Sequence, residues 1–185
     1  MSAPEVRAGA PLAATALFAA LVVAAPAFSL DARSAEVSRY DFQGAAAICQ
    51  PATAAYGQSV RSRPLAVVNE GTSNTFVTCA LRGDPRPGGR GAMKVLVETG
   101  APVGRNGIVS CTFVDGTQHG NVVDAVYRTK SASVAAGSRG VTLTWQPVEI
   151  AGAPEHIFRP AVQCMLSPGI ALHYLSVTYD EDVGS

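Results

Sequence analysis

Beyond Arg63 the chain alternates between short apolar runs and clusters of turn-forming residues. The runs are Leu65–Asn69, Thr75–Leu81, Ala92–Glu98, Ile108–Val114, Val122–Thr129, Val141–Pro147, Ala161–Leu166 and Leu172–Tyr179. Between them stand Glu70-Gly71, Asn106-Gly107, Asp115-Gly116, Ala136-Gly137 and Ser167-Pro168-Gly169, residue types that accept turn geometry. Val, Thr, Phe and Tyr enrich the runs, as a pleated and half-buried surface favours. This spacing predicts an all-β domain: an antiparallel β-sandwich, jelly-roll-like, of about eight strands. No segment after Tyr40 keeps an apolar stripe of helical period for three turns.

Alternation within the runs assigns faces. Val141, Leu143 and Trp145 share one side and Thr142 and Thr144 the other, which makes the single Trp a core residue. Leu175, Val177 and Tyr179 alternate with Tyr174, Ser176 and Thr178 in the last run. Cys79 falls on the side of Val77 and Leu81, Cys111 on that of Val109 and Phe113, and Cys164 on that of Val162 and Leu166. Three cysteines on three strands are thereby expected to point into the core.

The N-terminus has a different character. Leu12–Val23 is an apolar run of signal-peptide length, too short to span a bilayer, with Pro11 and Pro26 bracketing it. Small residues at Ala25 and Ala27 suit cleavage after Ala27, and a cut after Ser29 is an alternative. The expected organisation is a signal peptide over 1–27, an extended lead-in over 28–62 and the sandwich over 63–185. Export then places the protein in a secreted or periplasmic location, with no transmembrane segment after cleavage. The 14 basic and 14 acidic side chains balance, and cleavage removes one of each, Arg7 and Glu5. Scattered basic residues on a neutral domain give no means of neutralising phosphates, so nucleic acid is excluded as a partner.

An even set of four cysteines in an oxidising compartment predicts two disulfides, with three connectivities possible. Cys79 and Cys164 lie in similar frames, Val-Thr-Cys-Ala-Leu and Val-Gln-Cys-Met-Leu, which favours pairing 79 with 164 and leaves 49 with 111. Such bonds are expected to fasten the two layers together. The wide cysteine spacing lacks the close ligand pairs of a zinc site.

Candidate chemistry is sparse. His119 lies in a Gly-rich turn, His156 in the Ala-Gly-Ala-Pro-Glu loop and His173 in the final strand, and no serine occupies a Gly-x-Ser-x-Gly elbow. Asp180, Glu181 and Asp182 are a weak calcium candidate, lacking the further oxygens of an EF-type loop. Arg82-Gly83-Asp84 spells an adhesion tripeptide inside a Gly/Pro-rich loop from Arg82 to Gly91. Glu149 and Glu155 with Asp115 or Asp124 could form a glycosidase pair only if folding fixed their separation. No catalytic residue, resident metal or cofactor is assigned on these grounds, and the binding residues stay open.

The stretches RPLAVVNEGTSNTFVTCAL from Arg63, VSCTFVDG from Val109 and CMLSPGIALHYLSVTYDEDVG from Cys164 resemble a group of small secreted bacterial proteins. The resemblance covers most of the chain after Phe42 and spans all four cysteines. It implies an exported β-sandwich-like domain and carries over no site residues; the Arg82–Gly91 loop departs from it. The first functional reading is a non-enzymatic binding or envelope-associated module with a protein or glycan partner. A sugar-binding version requires a flat or grooved face bearing two or more of Tyr40, Tyr56, Tyr127 and Tyr174. The alternatives are a hydrolase of an extracellular polymer, with a His and a carboxylate converging in a pocket, and an assembly module pairing through an edge strand.

Overall fold

The computed structural model describes residues 36–82, 90–101, 104–151 and 157–183. The expected signal peptide lies outside them, as do Gly83 and Asp84 of the tripeptide, Glu155 and His156. In chain order the elements are β1 (Glu36–Gly44), α1 (Ala45–Ile48), β2 (Cys49–Pro51), β3 (Val60–Arg63), β4 (Ala66–Asn69), β5 (Thr75–Ala80) and β6 (Arg90–Gly100). Then follow β7 (Gly107–His119), β8 (Val122–Val134), β9 (Val141–Trp145), α2 (Pro147–Ala151), β10 (Pro160–Leu166) and β11 (Ala171–Asp182).

All eight apolar runs are strands, β4 to β11. One sheet has the order β3-β4-β11-β6-β9, with β1 also pairing β11; the other has the order β2-β5-β10-β7-β8. Numbering β4 to β11 from one to eight gives 1-8-3-6 and 2-7-4-5, the jelly-roll arrangement, and every pairing is antiparallel. The buried faces meet in one core that contains Trp145, Phe113, Leu166, Leu175 and Val177, with Phe113 and Trp145 rings 5.9 Å apart. The Trp145 indole N–H donates to the Arg128 carbonyl at 3.1 Å, so its burial leaves no polar group unpaired. No helix among the described residues is long and apolar enough to cross a membrane.

Three expectations are corrected. The first is the lead-in: from Glu36 onward it supplies β1, α1, β2 and β3, so the sandwich starts no later than Glu36. Its pattern hides β1 because the polar Asp41 and Gln43 take the parity of the buried Leu175 and Val177, while Tyr40 and Phe42 face out. Gln43 meets this inversion in part by donating its side-chain N–H to Asp41 at 2.8 Å. The second is the turn at Asp115-Gly116, which lies inside β7; the hairpin instead turns after His119. Gly116 is needed for close approach, since a Cβ there would collide with the Asp124 carbonyl oxygen on β8. A smaller shift concerns the Trp run, which stops at Trp145. Gln146, Pro147 and Glu149 start α2, with the Glu149 carboxylate accepting from the Gln146 N–H at 2.9 Å as in a capping box.

The third correction is the cysteine pairing. The bonds are Cys49–Cys79 and Cys111–Cys164, each between adjacent strands of the same sheet, with Cα atoms 4.0 Å apart. Register decides this. Cys49 stands directly opposite Cys79, and Cys164 directly opposite Cys111. The expected partners Cys79 and Cys164 are also on neighbouring strands, but Cys79 faces Val162 and Cys164 faces Val77. That two-residue offset is a diagonal of roughly 7–8 Å, beyond disulfide reach. Cys49 and Cys111 have two strands between theirs. All four sulfurs do point into the core, but they staple one sheet along its width and do not join the two layers.

Candidate functional site

The inverted pattern of β1 builds an aromatic surface on one sheet. Because Leu175 and Val177 point into the core, Tyr174, Ser176 and Thr178 point out of the sheet. Register sets Phe42 opposite Ser176 and Tyr40 opposite Thr178 on one flank, and Glu98 opposite Tyr174 and Leu96 opposite Ser176 on the other. Thr142 of β9 stands opposite Glu98, and Thr144 opposite Leu96. Four adjacent strands, β1-β11-β6-β9, thereby present one outward face with aromatic rings at one side and hydroxyl groups at the other.

The rings are contiguous. Phe42 and Tyr174 have centroids 4.3 Å apart at 32°, and Tyr40 and Phe42 are 6.3 Å apart. Tyr40 is 60% exposed and Phe42 56%. An apolar ring left in water is unfavourable, and three together form a patch that a ligand could cover. Beside them the Thr142 hydroxyl donates to the Glu98 carboxylate, fixing its orientation. Partial burial of Tyr174 pushes its pKa up, with further contributions from the Glu98 carboxylate and from Tyr40. The Tyr174 hydroxyl and the Glu98 carboxylate thus belong to residues that stand opposite each other across the β11–β6 pair. A row of aromatic rings, inclined to one another by 41° and 32°, with an adjoining donor and acceptor can stack a ligand's apolar face and orient its hydroxyls.

Of the four tyrosines singled out in the sequence, the fold brings Tyr40 and Tyr174 to this face. Tyr56 packs on Phe76 at 5.6 Å, and Tyr127, 54% exposed, belongs to β8 on the other sheet. Phe42, Glu98 and Thr142 were not anticipated. The period-two spacing of Tyr40 and Phe42 within a polar segment is the signal that could have revealed the first of them.

The remaining candidates do not assemble with this face. Asp180 and Glu181 lie in extended β11, where successive side chains diverge, and Glu181 is engaged by Arg39 at 2.7 Å. Adjacent carboxylates on a strand do not converge on one cation. His173 lies over Gly100, whose added Cβ would meet its ring. Glu149 is held by Lys130 at 2.7 Å; this hydrogen bond, then the Gln146 N–H, lowers its pKa. A cavity of about 580 Å³ gathers Asp115, Thr117, His119, Asp124 and Arg159. Asp115 is committed there to the backbone N–H groups of Phe158 and Arg159, at 3.1 and 2.6 Å, a structural role. A larger cleft of about 720 Å³ beside Arg105, Ser133 and Ser167 has no carboxylate or histidine among the described residues that line it.

No family model and no curated protein matches the chain. Among solved structures it is similar to a family 11 carbohydrate-binding module from Clostridium thermocellum, in complex with a β-1,3-1,4-mixed-linked tetrasaccharide. That match has 9% identity, covers 77% of this chain and 86% of that one, and has a TM-score of 0.41. It is also similar to the module TmCBM61 in complex with β-1,4-galactotriose, at 9% identity, 77% and 88% coverage and a TM-score of 0.33. Likenesses this distant carry no argument about what this chain binds.

Proposed function

We propose that the protein is an exported binding module that holds a glycan across the outer face of β1-β11-β6-β9. The observation that carries this reading is the contiguous row Tyr40–Phe42–Tyr174, with Tyr40 and Phe42 exposed and Tyr174 half-buried beside them, flanked by Glu98 and Thr142. A pyranose has an apolar face of C–H groups and a rim of hydroxyls, and this surface offers a partner for each. The buried disulfides suit the oxidising location in which such polymers occur.

The test is retention of the purified protein on a panel of insoluble and immobilised neutral polysaccharides, beside Tyr40→Ala, Phe42→Ala and the double variant. Losing one stacking ring is expected to weaken binding about tenfold, the equivalent of roughly 1.4 kcal/mol. Near-UV circular dichroism checks that the core is intact. Failure of the wild type to bind any polysaccharide, or equal binding by the double variant, overturns the reading.

A further inference from the structure

The opposite outer face, that of β2-β5-β10-β7-β8, has a different chemistry. Its outward positions follow from the buried alternation: Val77 and Cys79, then Val109, Cys111 and Phe113, then Val162, Cys164 and Leu166 point in, so their neighbours point out. None of the outward residues on these five strands is charged. The charged residues of β7 and β8, namely Asp115, Asp124, Arg128 and Lys130, all sit at the other parity. Lys130 is turned toward the Trp145 ring, 5.9 Å from its centroid, and onto Glu149. Charge on these two strands is kept off one side.

That side is also prepared for losing water. Thr112 and Thr129 hydroxyls hydrogen-bond each other at 2.8 Å, and Ser131 donates to Ser110 at 2.7 Å, forming a ladder along the β7–β8 seam. Hydroxyls already paired within the protein cost less to dehydrate than unpaired ones. Exposed apolar side chains flank the ladder: Ile108, Val123 and Tyr127, each about half exposed.

We infer that this face is the contact surface for a second copy of the chain, packed back to back about a twofold axis. Three features suit a second copy as the occupant. A twofold contact sets the patch against itself, and an uncharged face meets its own copy without like-charge repulsion. Two sheets of the same twist pack face to face in the aligned mode, about 30° apart, which is the relation a copy can provide. The area also suffices. With strands about 4.8 Å apart and about 3.4 Å per residue, the lengths of β2, β5, β10, β7 and β8 give a projected face of roughly 700 Å². Side-chain relief raises this toward the roughly 800 Å² per partner of a standard interface. The outer face of β1-β11-β6-β9 stays free on each copy, so the dimer would display its two aromatic rows on opposite sides.

Sedimentation equilibrium across low to high micromolar concentration tests this, using the wild type and Thr129→Lys/Gln163→Lys. Both substitutions lie on exposed positions of the face, outside the core and the aromatic row. The expected result is a mass of two chains for the wild type and one chain for the variant, with an unchanged near-UV spectrum. A wild type that stays at one chain throughout overturns the inference. So does a variant that remains dimeric, which would place the contact elsewhere. If the wild type is monomeric and the variant loses polysaccharide retention, the face takes a glycan instead. Retention by the dimer and its loss in Phe42→Ala are read separately, so this inference and the proposed function fail independently.

Discussion

Consider the chain in which Cys111 and Cys164 are both replaced by alanine. The native bond closes a loop with a sequence separation of 53 residues. In the chain-entropy model its loss relaxes the unfolded ensemble by about 4 kcal/mol at 25 °C, and removal of two buried sulfurs adds to the cost. At roughly 2–4 °C per kcal/mol for a domain of this size, the melting temperature falls by about 8–16 °C. The Cys49–Cys79 loop has a separation of 30 and shares no residue with the first. Its contribution is similar, about 3.7 kcal/mol, and adds to the other in this picture. Loss of both, about 7–8 kcal/mol, matches the whole net stability of a typical domain, so the quadruple variant is expected to be unfolded. Differential scanning calorimetry measures the melts. A tryptic map of the denatured, unreduced protein checks the connectivity, since Arg61, Arg82, Arg105, Arg128 and Arg139 divide the four cysteines among separate peptides. A double variant melting within about 2 °C of the wild type would show that the loop-closure reasoning is wrong. A map joining the Cys79 peptide to the Cys164 peptide would refute the register argument.

Two further outcomes follow from local geometry. The Lys130 hydrogen bond and the Gln146 N–H lower the Glu149 pKa, so the folded state favours the charged carboxylate. The contribution is present above the ordinary carboxylate pKa and is lost as pH falls through the lower folded value. In Lys130→Met the Glu149 carboxyl should titrate at higher pH by NMR, and an unchanged midpoint contradicts the assignment. Gly140 has φ +98°, and an added Cβ would run into the Thr99 carbonyl oxygen. Gly140→Ala is expected to cost at least about 2 kcal/mol in urea unfolding, with little change in m-value; equal stability refutes the close approach of Gly140 to Thr99.

Sequence alone determined the eight strands β4 to β11, the inward set of cysteines and the burial of Trp145. Each of these is a local matter: apolar residues at period two, bounded by Gly, Pro and Asn, leave a strand one face to bury. The Ala136-Gly137 and Ser167-Pro168-Gly169 turns were legible for the same reason. Which strands lie side by side, and in what register, is set by residues far apart in the chain. That is why the similar frames of Cys79 and Cys164 misled. They belong to adjacent strands, yet a two-residue offset gives each sulfur a different partner. The candidate site has the same origin. Tyr40 and Phe42 face outward only because β1 pairs with β11 over Glu36–Gly44, and Tyr174, Glu98 and Thr142 join them through two further strand registers. Period two could have shown that Tyr40 and Phe42 share a side; only tertiary pairing decided which side meets water and what stands next to it.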